Sequence, residues 1–314
     1  MYGFLNINKP AGITSHDVVA RIRRLAGRGV KVGHAGTLDP AATGVLPVAL
    51  GPATRLIEYL ADAHKGYHTV VRLGTTTTTD DAEGEVVEQR EVPLLDAATL
   101  EAALAPLRGT IMQVPPDYSA LRHQGQRLYK LARQGQQVTP SARPVTVERL
   151  DLLEYRYLPG AETAPAAALV RLAIACSKGT YIRALARDLG AALGCGAHLE
   201  MLERTFVGAF TLDTAIALDQ LSATAQAHSA SVALEQVLLP PEVAVQAWPK
   251  VTLNDQQRQR IRNGRTIHLP QLHHEGNAAS AWVRAHAPDG TLLALLHTDE
   301  EQSTWHPAKV LMQV

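Results

Sequence analysis

The sequence predicts an α+β chain in two unequal parts, a large mixed domain over 1–246 and a small β-rich domain over 247–314. Three observations carry that expectation. Thr14-Ser15-His16-Asp17 has capping-box character, and Val18, Ile22 and Leu25 then recur at helical spacing until Gly27 and Gly29 close the segment. Tyr67, Thr69, Val71 and Leu73 alternate with His68, Val70 and Arg72, and Val170, Leu172, Ile174 and Cys176 alternate in the same way, as strands do. Beyond an alanine-rich, weakly informative stretch at 217–246, Trp248-Pro249 restarts the pattern. Val251 and Leu253 follow, then strand-like runs near 281–284 and 292–297. At 314 residues the chain is long enough to bury a large core beside a small second one.

The remaining elements fit between these. The first helix displays Arg21, Arg23, Arg24 and Arg28 away from its apolar stripe. Five threonines, 75–79, are expected to end the Tyr67 strand, and Leu100, Leu104 and Leu107 suggest a second helix. Charge is balanced at 30 basic and 30 acidic residues, which argues against coating nucleic acid through global charge. Local patches would then do that work. The first 60 residues carry seven Lys/Arg against three Asp/Glu, 118–149 carry six against one, and 80–105 reverse this with one against eight. The separation suggests a basic working face and an acidic back, although each run also fits a plain solvated surface.

Several function classes find no support. Cys176 and Cys195 lack CxxC spacing and read as reduced structural residues. The N-terminus resembles no signal peptide, and no apolar run approaches the ~20 residues of a membrane span, so a cytoplasmic protein is expected. The thirteen histidines form no recognisable metal motif, and neither a P-loop nor a strand-linked GxGxxG is present.

Two segments stand out chemically. Residues 33–44 read GHAGTLDPAATG, a glycine-punctuated loop with one carboxylate, Asp39, at its centre and Pro40 stiffening the chain after it. Spacing alone fits either a fixed reactive carboxylate or an Asp-Pro turn between two elements. Residues 176–183 read CSKGTYIR, followed by Leu185, Leu189 and Leu193 at helical spacing, which puts Arg183 in a helix's first turn. A cation there opposes the helix dipole by roughly 0.3–1 kcal/mol, so a nearby anion is expected, in a site or in an ordinary salt bridge.

Both segments resemble motifs of the bacterial tRNA pseudouridine-55 synthases, the TruB family: G-H-x-G-x-L-D-P-x-A-x-G and K-G-T-Y-I-R. Lys65-Gly66-Tyr67 is similar to the family's K-x-Y element, Asn8-Lys9-Pro10 to its opening motif, and Leu202 to a uracil-pocket leucine. Pro116 to Arg122 resembles P-x-Y-S-A-L-K, with Arg122 in place of the lysine. Gly125, Arg127, Tyr129, Lys130 and Arg133 continue a mixture of basic and aromatic residues suited to RNA. Residues 73–81 depart from L-G-x-x-T-D-T-x-D, because Thr78 stands where an aspartate is usual.

The resemblance, which runs from residue 5 to about 215, implies a pseudouridine synthase domain with a curved mixed sheet, an RNA-gripping insertion at about 118–145 and a C-terminal PUA domain. It implies that Asp39 is catalytic and paired with Arg183, and that Tyr67 stacks on uracil and is placed to move a proton. His34 would occupy space vacated in the RNA, and Tyr181 and Leu202 would line the base pocket. The implied activity is isomerisation of uridine 55 in the T arm of tRNA by base flipping, glycosidic cleavage and carbon-carbon rejoining. No cofactor, metal, membrane or guide RNA is expected, and a monomer is. Two alternatives stay open: a guide-dependent synthase of the dyskerin type, and a tRNA-folding chaperone for which modification is secondary. Read without the family, Tyr67 fits a core-facing strand tyrosine.

Overall fold

The computed structural model describes residues 1–116, 118, 122–123, 126–127, 140–162, 165–269, 281–298 and 304–311. Most of the expected insertion, including Gly125, Tyr129, Lys130 and Arg133, lies outside the described residues.

A ten-stranded mixed sheet organises the large part. Its strands run in the order Ile216–Ala217, Gly3–Lys9, Thr43–Leu50, Ala197–Val207, Lys65–Leu73, Ala167–Cys176, Arg143–Leu158 and Gly109–Gln113. Val32–His34 joins the edge of Thr43–Leu50, and Phe210–Thr211 pairs with Ala197–Val207. Alternation works as the pattern predicts: Tyr67, Thr69, Val71 and Leu73 are buried, whereas His68 is exposed. The helix Ser15–Ala26 begins at a Thr14–Asp17 capping box and ends at Gly27, where φ is 83°.

One seam in this sheet matters for function. Thr43–Leu50 and Ala197–Val207 run parallel and pair through only two residue pairs, Glu203 with Thr43 and Arg204 with Gly44. The loop carrying Asp39 enters the sheet at this short seam. Gly44 has a φ of 99°, and a Cβ there would lie 2.2 Å from the Arg204 carbonyl oxygen, so only glycine fits.

The structure departs from the sequence expectations in three places. The threonine run begins a new element: Gly74, at φ 91°, turns the chain, and Thr75–Thr77 pairs with Val86–Gln89. Positive φ at a glycine costs little, so the turn precedes the threonines and leaves their β-branched side chains free to form a strand. The acidic stretch is no uniform back, because Asp80 and Asp81 turn inward to arginines 187 and 183. The uninformative stretch at 217–246 holds two helices, Leu218–Ala227 and Ala230–Val237. Leu218, Leu221, Ala233 and Leu234 pack them against the Gly3–Lys9 strand region.

The C-terminal residues form a five-stranded half-barrel ordered Lys250–Thr252, Trp282–His286, Leu292–Thr298, Thr304–Val310 and Ile267–His268. The helix Asp255–Arg262 packs on it through Ile261, behind a capping box of Asn254 and Gln257. This half-barrel is docked firmly. Leu292, Leu295 and Leu311 share a core cluster with Phe4, Val45, Leu60 and Phe210, and Tyr59, Trp248 and Trp282 pack mutually with ring centres 5.1–5.5 Å apart. Each buried leucine contributes about 1.5–3 kcal/mol, so the interface is part of the core. Among the described residues no helix is long and apolar enough to cross a membrane.

Candidate active site

Asp39 sits in the loop between Val32–His34 and Thr43–Leu50, and buried groups hold that loop on several sides. Lys9, fully buried, donates from Nζ to the carbonyls of Pro10 at 2.9 Å, Ile13 at 2.7 Å and Pro40 at 3.0 Å. Ser15 Oγ bonds both the amide of Leu38, at 2.9 Å, and its carbonyl, at 3.1 Å. Arg204, also fully buried, donates to the carbonyls of Val45 at 2.7 Å, Thr37 at 3.3 Å and Gly36 at 3.1 Å. Each charge-assisted bond of this kind is worth about 1.5–3 kcal/mol, and losing one leaves a carbonyl unsatisfied. Burial pulls the Lys9 ammonium below its ordinary pKa, against the opposing pull of Asp39.

Above this anchored backbone the Asp39 side chain is open, 44 % exposed, while the Arg183 side chain it meets is 9 % exposed. Arg183 Nη2 lies 3.2 Å from Asp39 Oδ2 and donates to the Tyr118 carbonyl at 2.9 Å. Its Nη1 donates to the Thr79 carbonyl at 3.0 Å and lies 3.3 Å from Asp81 Oδ2. The anion expected beside a first-turn arginine is therefore present twice. Asp81 is itself fixed, accepting from Thr79 Oγ1 at 2.5 Å and from the Glu83 amide at 3.1 Å. Next to it Asp80, at φ 59°, reaches Arg187 at 3.1 Å. Thr78 accepts from the Glu85 amide at 3.1 Å, so its departure from the family pattern leaves a turn acceptor in place.

Tyr67 lies in the largest apolar cluster at 8 % exposure, as a core tyrosine would. Its hydroxyl also meets the Arg204 guanidinium, since Tyr67 and Arg204 are register partners on adjacent strands. Burial raises the phenol's pKa and Arg204 opposes that rise, so the hydroxyl keeps its proton near neutrality. Leu202, two residues before Arg204, packs half-buried against the same cluster. Tyr181 caps the Arg183 helix. Its backbone is clamped by the Gln113 amide, which accepts from the Tyr181 amide at 2.8 Å and donates to its carbonyl at 3.1 Å. Arg143 lies 5.3 Å from the Tyr181 ring centre. His34 stands at the head of the loop, edge-on to His16 at 5.9 Å, with a buried Nδ1 that has no hydrogen-bond partner. Burial and the neighbouring His16 and Arg204 lower its pKa, which favours the neutral ring.

The structure thus joins Asp39 directly to Arg183, and Tyr67 to the Asp39 loop through Arg204. Among the described residues, neither His34 nor Tyr181 shares a hydrogen bond or ion pair with Asp39 or Arg183. Sequence reasoning gave no role to Lys9, Ser15, Gln113, Arg187 or Arg204. Lys9 belongs to the Asn8-Lys9-Pro10 motif; Arg204, among Glu200, Glu203 and Thr205, reads as solvated surface until its register is known.

Comparisons place this geometry in a family. Residues 23–182 match the model of the TruB family pseudouridylate synthase N-terminal domain, and 183–246 match that of the tRNA pseudouridylate synthase B C-terminal domain. The protein called tRNA pseudouridine synthase B in Thermobifida fusca is 46 % identical over 294 residues, 93 % of each chain. That of Dehalococcoides mccartyi is 41 % identical over 312 residues, 99 % of this chain and 97 % of its own. Among solved structures, a Cbf5-Nop10-Gar1 complex is similar at TM-score 0.72 and 28 % identity, and an H/ACA RNP bound to a substrate RNA containing 2'-deoxyuridine at 0.71 and 26 %. Each covers 99 % of this chain, of which the aligned part is 85 % of the other. Family models spanning 23–246 and relatives 41–46 % identical over nearly the whole length show that the chain belongs to the TruB family of pseudouridylate synthases.

Proposed function

We propose that this chain converts uridine 55 in the T arm of tRNA to pseudouridine without a guide RNA, with Asp39 as the reacting group. The open Asp39 carboxylate held 3.2 Å from a buried Arg183 is the observation that carries this reading. Relatives named tRNA pseudouridine synthase B support tRNA as the substrate. The similar H/ACA and Cbf5 complexes raise the guide-dependent alternative, but at 26–28 % identity against 41–46 % for the tRNA enzymes.

Uracil is released from the sugar by cleavage at its N1, rotates and rejoins through carbon 5, which gives up its proton, so no group is added and no net redox change occurs. The reaction therefore needs no cofactor. The target base is flipped out of the arm, which costs a few kcal/mol of stacking, and Tyr67, Tyr181 and Leu202 line its pocket. Asp39 adds covalently to the anomeric carbon or the uracil ring, or assists departure of uracil through a glycal-like intermediate. Arg183 orients Asp39 and the neutral Tyr67 hydroxyl serves proton movement at the base. His34, neutral and unbonded at Nδ1, fills space vacated in the RNA. The half-barrel is read as a PUA-type RNA-binding domain beginning at 247, and the chain as a monomer.

Incubating the purified protein with a synthetic T-arm hairpin, in the absence of any other RNA, tests the reading. Pseudouridine should form at the single target uridine; a hairpin that is bound but never isomerised would reject it and favour the chaperone alternative.

A further inference from the structure

A groove outside the active site collects cations without carboxylates. Its larger segment, about 1060 Å³, lies between the C-terminal end of the helix Ser15–Ala26 and the strand Val32–His34, and is lined by Arg23, Arg24, Arg28 and Lys31. A second segment of about 540 Å³ shares Gly29, Lys31 and Thr54 with the first, so the two are continuous, and it adds Arg55 and ends at Leu311 of the half-barrel. Neither segment is lined by Asp or Glu.

That composition is unusual on this surface. The chain has equal numbers of acids and bases, and several exposed cations elsewhere pair with carboxylates: Arg90 with Glu88, Arg149 with Asp151, Arg171 with Glu154, Lys178 with Asp62. The five groove cations are exposed, and none occurs in an ion pair among the described residues. The helix dipole accounts for Arg23 and Arg24 in the last turn, but Arg28, Lys31 and Arg55 lie beyond the helix. Gly27 and Gly29, at φ of 83° and 85°, have no heavy atom within 4 Å of where a Cβ would stand, so the rim is open to close approach by a chain. The position is also informative. One wall, Val32 and Gly33, leads straight into the Asp39 loop, and the far end touches the half-barrel.

We propose that this groove is a second RNA track, which takes the phosphodiester backbone of a tRNA segment outside the T arm. The inference rests on the proposed tRNA substrate. A row of exposed guanidinium and ammonium groups over glycine backbone suits phosphates in sequence and reads no bases, so it adds affinity and orientation without sequence preference. The groove would act alongside the RNA contact proposed for the half-barrel.

The test uses the full chain with Arg28→Glu/Lys31→Glu, and with Arg28→Gln/Lys31→Gln in case the reversal disturbs folding. Binding to full-length unmodified tRNA and to the T-arm hairpin is measured over a range of salt. Full tRNA should bind the Glu pair roughly tenfold or more weakly at 0.1 M salt, with the slope of log affinity against log salt shallower by about 2. The Gln pair should show the same shallower slope, while the hairpin changes less than about twofold with either variant. Unchanged tRNA binding would overturn the proposal and leave the groove to some other anion; equal losses for tRNA and hairpin would overturn it as a general field effect. Wild-type turnover on the hairpin, measured alongside, reports on the tRNA reading separately.

Discussion

The Asp39 loop and the helix of the C-terminal half-barrel use their cations in opposite ways. Around the loop, Lys9, Arg183 and Arg204 are buried, and their partners come from distant segments: Lys9 reaches Pro40, Arg183 reaches Asp39 and Thr79, Arg204 reaches Gly36. In the half-barrel the partners of Arg258 and Arg260 are local, Asp255 for Arg258 and the Thr266 carbonyl for Arg260. A buried cation bonded to backbone from elsewhere fixes one geometry, because any shift leaves a desolvated charge or carbonyl unpaired. Local, exposed pairs are worth little and tolerate movement. The contrast separates a region built for chemistry from one whose demands are docking and contact.

Substitutions should break the comparison unevenly. Asp39→Asn keeps size and removes the carboxylate, so single-turnover pseudouridine formation should fall by more than about 10⁴-fold while tRNA affinity holds. Appreciable turnover would place the reacting group elsewhere. Arg183→Lys keeps charge but cannot span Asp39, Asp81 and two carbonyls at once, and a rate loss of about 10²–10³-fold is expected. Near wild-type kinetics would mean that the pairing seen here is incidental. Tyr67→Phe should lower the rate about 10²-fold with unfolding free energy changed by no more than about 1.5 kcal/mol, the net worth of its hydrogen bond. If stability and activity fall together, Tyr67 is a core residue only. The smallest effect belongs to the half-barrel: Arg262→Ala/Arg265→Ala should leave the single-turnover rate intact and, on the PUA reading, flatten the salt dependence of tRNA binding by at most about 2. No change in binding would make the half-barrel structural support.

What could be read from sequence follows the same division. The Asp39 loop and the Arg183 segment stood out locally, through glycines, a proline after the carboxylate and an arginine in a helix's first turn, but their pairing was expected only from the family resemblance. The capped first helix and the Tyr67 strand were legible from periodicity alone. Arg204 was not, because its burial depends on a strand register set by Gly44 across the sheet. Lys9 was hidden for a related reason: its three carbonyl partners converge only after folding. The acidic stretch misled because Asp80 and Asp81 differ from their neighbours only in three dimensions, where arginines 187 and 183 claim them. Alanine-rich 217–246 carried too little contrast between faces for its two helices to show.

On the proposed function, Asp39, held by Arg183 over an anchored loop, isomerises one uridine of tRNA. Position-resolved mapping of pseudouridine on full-length unmodified tRNA, treated side by side with wild-type protein and Asp39→Asn and with no guide RNA present, tests it most directly. Pseudouridine should appear at position 55 with wild type and at no position with the variant. Modification at other positions, a requirement for a second RNA, or product from Asp39→Asn would contradict it.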